Sequence, residues 1–213
     1  MEEFERLVFA KKILEKDFIG YDELNQISNH IDFDLINIPK LCLDENQIVK
    51  AKKENKILLL VHPLLKNNIK LSIKFFRDKF GIGLNNTEYP TFYNQDWYLK
   101  ESFFLEEFNQ SKWILIDKNL KHTSRGIVPK SEHKPILGKA FHYTYAFFIY
   151  FIINNGDLLW ENDYIWCNDY DHNGDMIYVG RYTDPNSYNK KGFSIHRHLT
   201  ISSIYGCVDF NNL

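Results

Sequence analysis

The sequence predicts an α+β fold, with a helical N-terminal part and a central buried helix packed on a C-terminal antiparallel β-sheet. Three observations predict it. Apolar residues recur at helical spacing through much of the first 110 residues. One strongly apolar stretch, Ile136 to Ile153, stands in the middle of the chain. β-rich runs separated by turn residues fill the last third. Segregated helices and strands are characteristic of α+β chains.

Phe4, Leu7, Val8, Ala10, Lys11, Ile13 and Leu14 form the stripe of a first helix, and Tyr21 to Ile27 a short second one. Asp44 and Gln47 stand at the spacing of a capping box, opening a helix that runs to about Asn55. Ile57 to Val61 is continuously apolar and ends at Pro63, which reads as a buried strand. Ser72 is placed to cap a helix over Ile73 to Phe80, and Gly81 to stop it. Tyr98 to Phe108 has helical spacing, and Trp113 to Ile116 is the next strand. Asp117 to Pro135 is a long polar loop with four Lys. After the central helix, Asn154 to Asp157 makes a turn. Leu158 to Trp160, Tyr164 to Cys167, Met176 to Val179 and Phe193 to Ile204 then read as a meander.

The chain of 213 residues is expected to form one domain, with 1–110 and 111–213 as its two natural halves. A net charge of −2 gives no overall field toward nucleic acid or anionic lipid. Three Cys residues far apart exclude a disulfide scaffold. The start is acidic, without the apolar core of a secretory signal, and no apolar run reaches the roughly 20 residues of a membrane span. A cytoplasmic protein is expected. The excess of Lys over Arg, with abundant Asn and Ile, suggests an AT-rich bacterial or phage genome.

Four features carry candidate chemistry. Asp169, Asp171, Asn173 and Asp175 place oxygen ligands at alternate positions around Gly174, as in the first half of a calcium loop. Gly180 stands where that loop has its bidentate carboxylate, and Asn173-Gly174 is also a hairpin turn signal. The hairpin turn is the favoured reading and no cofactor is expected; calcium, in a divalent-cation or carbohydrate-binding module, is the alternative these residues allow. Second, strand alternation would put His196, His198 and Thr200 on one face. Third, Lys121 and Arg125 stand in the polar loop, and Arg181, Lys190 and Lys191 near the late strands, as contacts for a polyanion or an acidic partner. Fourth, 13 Tyr and 4 Trp add to 17 Phe, and Tyr170, Tyr182 and Tyr188 fall in expected turns as outward contact residues.

His198-Leu199-Thr200 resembles the H-x-[ST] motif of the 2H phosphoesterases, and His122-Thr123-Ser124 would be its second copy. That resemblance implies His122 and His198 as general acid and base on a phosphodiester, with Ser124 and Thr200 holding the phosphate. The residues themselves favour a non-catalytic interaction protein, an accessory or inhibitor protein binding a protein or nucleic-acid partner. Phosphodiester hydrolysis is the enzymatic alternative.

Overall fold

The computed structural model describes residues 2–82, 91–108, 110–129, 137–183, 191–198 and 200–213, with only the backbone at 181–183 and 191. Its helices are α1 (Glu3–Leu14), α2 (Tyr21–Gln26), α3 (Glu45–Lys53), α4 (Ile73–Phe80), α5 (Ser102–Leu105) and α6 (Ala140–Ile153). Its strands are β1 (Phe18–Ile19), β2 (Lys56–Val61), β3 (Lys112–Asp117), β4 (Tyr164–Tyr170), β5 (Met176–Thr183), β6 (Lys191–His196), β7 (Tyr205–Gly206) and β8 (Phe210–Asn212). The fold is α+β, with two mixed four-stranded sheets.

The first sheet has the order β1-β2-β3-β8, with β1 parallel to β2 and the other pairs antiparallel. All six residues of β2 are buried, so its unbroken apolar run reflects cover on both faces. β2 pairs with β3 from Lys56↔Asp117 to Val61↔Lys112, so a division at residue 110 would cut through this sheet. The second sheet has the order β6-β5-β4-β7. It departs from the all-antiparallel expectation, because β7 runs parallel to β4. β6 ends near the β4–β5 hairpin, and the chain must travel back to the start of β4 before it pairs, at Tyr164↔Tyr205. The expected single run from Phe193 to Ile204 therefore stops being a strand at His196.

α6 packs on β2, β4 and β5 and so joins the two sheets. Its residues from Ala140 to Tyr150 are all buried, as a helix apolar on every side requires. The Phe148 ring stacks on Phe80 at 4.5 Å and Phe92 at 5.1 Å, and Phe147 meets Phe193 of β6 at 4.9 Å. Alternation divides the late aromatic residues. Ile165 and Cys167 of β4 face this main core, whereas Tyr164 and Trp166 face a smaller cluster with Leu137, Tyr178, Tyr205 and Cys207.

The expected caps form. Gln47 N–H donates to Asp44 Oδ1 and Asp44 N–H to Gln47 Oε1, both at 2.8 Å, and Phe75 N–H donates to Ser72 Oγ at 3.1 Å. Gly81 ends α4 at φ 74°, where a side chain would be strained. The expected helix over Tyr98 to Phe108 shrinks to the single turn of α5. Tertiary ties replace it: Trp97 Nε1–H donates to the Ile195 carbonyl, and Glu101 bonds His172. Leu158 to Trp160 is not a strand either. Trp160 sits at φ 50°, with its indole N–H on the Asp117 carbonyl. The three Cys residues are free thiols, Cys42 exposed and the others buried. Among the described residues no helix is long and apolar enough to cross a membrane.

Candidate functional site

The sequence-predicted site residues fall into two places on the second sheet, one at each end of β4. The first is the β4–β5 hairpin tip, where Tyr170 pairs with Met176. Asp171 is the organising group there. Its Oδ1 accepts the Asn173 and Asp175 backbone N–H groups at 2.9 and 2.8 Å, and its Oδ2 pairs with Arg197. These donors hold its carboxyl below the usual carboxylate range even though its side chain is fully buried. The Arg197 guanidinium also lies 4.5 Å from the Trp97 ring centroid, a cation–π contact. Beside it, buried Glu101 accepts the His172 N–H at 3.0 Å and contacts the His172 ring at 2.6 Å. His198 Nε2 meets Asp175 at 3.0 Å.

This geometry revises the calcium reading. Asp169 turns away from the hairpin and accepts the Ala140 N–H at 2.6 Å, capping α6 from the core. Burial raises its carboxyl to about 6. Asp171 and Asp175 converge with His198, and Asp171 also with Glu101 and His172, while Asp169 stands in neither group. The positive charge beside Asp171 is supplied by Arg197. Tyr170, expected in a turn, ends β4 half-buried with its hydroxyl shielded from water.

The second place is the polar loop before α6. Residues His122–Ser124 form one 3₁₀ turn against β7. Ser124 Oγ donates to the Lys121 carbonyl at 2.7 Å and accepts the Cys207 N–H at 2.8 Å. Arg125 grips Asp163 through two bonds of 2.7 and 2.8 Å and also donates to the Ser203 carbonyl. Gly126 N–H donates to the Tyr205 carbonyl, and Lys121 pairs with Asp209. The described cations of the loop, Lys118, Lys121 and Arg125, thus lie on the protein's own carboxylates. Facing solvent beside them are Ile127, Val128 and Ile204, 53%, 51% and 37% exposed.

The paired-histidine arrangement does not assemble. His122 stands near the start of β4, beside the Arg125–Asp163 pair, whereas His198 binds Asp175 past the other end. A strand rises about 3.3 Å per residue, so Tyr164 to Tyr170 separates them by roughly 20 Å. One phosphate cannot span that distance. Ser124 is engaged by β7, and Thr200 is exposed. His196 and His198 do not share a strand face, because the strand ends between them and His198 has φ 59°. His196 is instead enclosed by Tyr164 and Tyr178 and bonded to Gln95, and burial pushes its imidazole down to about 4.

Tyr188 and Lys190 lie outside the described residues, as do the side chains of Arg181, Tyr182 and Lys191. Sequence reasoning missed Trp97 and Glu101, which meet the hairpin from far along the chain, and no local pattern marks them. Ile127 and Val128 were legible as a β-branched pair inside a polar loop. Comparison with protein-family models, curated proteins and solved structures finds no match to the chain.

Proposed function

We propose that this protein is a non-catalytic interaction protein, an accessory or inhibitor protein of a bacterium or phage, and that it docks a protein partner on the rim of Ile127, Val128 and Ile204. One observation carries the reading: the loop that holds Ile127 and Val128 is pinned, its described cations Lys118, Lys121 and Arg125 lie on the protein's own carboxylates, and Ile127, Val128 and Ile204 are exposed. A polyanion would need free cations there, as phosphate contacts dominate nucleic-acid affinity. A protein surface needs a rigid apolar patch with a polar surround.

The test is affinity capture from the native cells with wild type and with an Ile127→Asp/Val128→Asp variant of unchanged thermal midpoint. The reading expects one stoichiometric protein held by the wild type and lost by the variant. Equal retention by both, or salt-sensitive binding of oligonucleotides in place of a protein, would overturn it.

A further inference from the structure

The β4–β5 hairpin tip gathers imidazoles and carboxylates from three parts of the chain. Glu101 stands immediately before α5, Asp171, His172 and Asp175 lie on the hairpin, and His198 follows β6. Glu101, Asp171 and His172 place one donor atom each within 4.8 Å of one another, and so do Asp171, Asp175 and His198. Asp171 belongs to both groups. Within them His172 Nδ1 lies 2.6 Å from Glu101 Oε1, and His198 Nε2 lies 3.0 Å from Asp175 Oδ2. Two ligands held at about 2.1 Å by one zinc ion stand roughly 3 Å apart, so these pairs already have the spacing of a coordination shell.

The charges at the tip point to a cation independently of that spacing. Three carboxylates meet there, and Arg197 on Asp171 is the one permanent cation paired with them among the described residues. The other two carboxylates face imidazoles, which carry charge only on acidification. Glu101 is the more deeply buried of these two, its side chain only 7% exposed. A buried carboxylate is ordinarily paired with a cation or bound to a metal. Glu101 and Asp175 together leave two negative charges, which one divalent ion cancels. The side chains of His172 and His198 are 65% and 57% exposed, so an ion has a path from solvent and both rings have room to turn onto it.

We propose that the hairpin tip binds one divalent transition-metal ion of the zinc class, held by Glu101, His172, Asp175 and His198, with Asp171 as the ligand common to both groups. Imidazole nitrogen together with carboxylate oxygen suits zinc, whereas calcium takes oxygen ligands alone. Arg197 stays on Asp171 as the outer partner that orients this ligand. The bound ion ties the segment before α5, the hairpin and the end of β6 to one another.

The full chain, stripped with EDTA and exchanged into chelator-free buffer, is titrated with zinc chloride by calorimetry and melted with and without zinc. One ion per chain is expected, with a thermal midpoint raised by zinc, since a ligand bound only by the folded state stabilises it. His172→Ala and His198→Ala should each weaken zinc binding at least about tenfold, a loss that even outer-shell partners cause. Glu101→Gln keeps an acceptor for the His172 backbone N–H and removes the charge. It should weaken zinc binding equally without lowering the metal-free midpoint. His122→Ala, which removes an exposed imidazole near the other end of β4, should leave binding unchanged. No heat at millimolar zinc, calcium bound as tightly as zinc, or zinc binding that survives both histidine substitutions and Glu101→Gln would overturn the proposal.

Discussion

Asp169 shows how one carboxylate acquires a pH signature from its surroundings. It lies in the core and caps α6, with its carboxyl raised from 3.8 to about 6 by burial. Between those values the folded protein keeps a proton that the unfolded chain has released. Asp169 therefore makes stability fall as pH rises through that window. Asp169→Asn keeps an acceptor for the Ala140 N–H and removes the charge. Measured by urea unfolding, it should be more stable than wild type at pH 7 by on the order of 1 kcal/mol, with the difference vanishing near pH 4. Asp169→Ala should cost about 1 kcal/mol through loss of the cap. Asp171 runs the opposite way. Its carboxyl is depressed, so its contribution is present above pH 3.8 and is lost on acidification below it. Spacing alone made these two residues equivalent candidate ligands. Their different roles come from Ala140 and Arg197, and neither alternation nor a turn motif reveals a partner that folding brings from elsewhere.

Elements were legible where their determinants are local. The capping box of Asp44 and Gln47 and the Ser72 cap are contained within four residues each, and both form as read. Tyr98 to Phe108 has the spacing of a helix, yet Trp97 and Glu101 are claimed by β6 and the hairpin, and only one turn survives. The return of β7 beside β4 depends on a path across a whole sheet, which no window of sequence contains. Two substitutions probe these elements. A Cβ added at Gly180 in β5 would lie 2.1 Å from the Asp163 carbonyl oxygen, which is backbone and cannot step aside. Gly180→Ala should therefore destabilise by about 3 kcal/mol in denaturant titration, because overpacking forces the strands apart. Ser124→Ala should cost about 1–3 kcal/mol by leaving the Cys207 N–H without its acceptor, and amide exchange at Cys207 should accelerate. A phosphate-binding role for Ser124 would instead leave stability unchanged.

At the scale of the molecule, α6 is the shared wall of both sheets, and its aromatic residues make one core of two layers. The excess of Phe over the whole chain is explained here, since Phe148 alone touches Phe76, Phe80, Phe92, Phe147 and Phe193. Phe148→Ala should cost about 3–5 kcal/mol. Tryptophan fluorescence and far-ultraviolet circular dichroism should report the loss at one shared midpoint. Two separated midpoints would mean that the sheets unfold independently. The predicted contrast between a helical first half and a β-rich second half was sound as composition, but the sheets do not respect it: β3 completes a surface begun by β2. The same holds at the other end of the chain, where residues 205–212 give β7 to one sheet and β8 to the other. During synthesis β4 and β3 must therefore wait, each with a row of unsatisfied amide and carbonyl groups, until that short segment emerges from the ribosome. A nascent chain stalled before residue 205 would present two sticky borders at once to neighbouring chains and to chaperones.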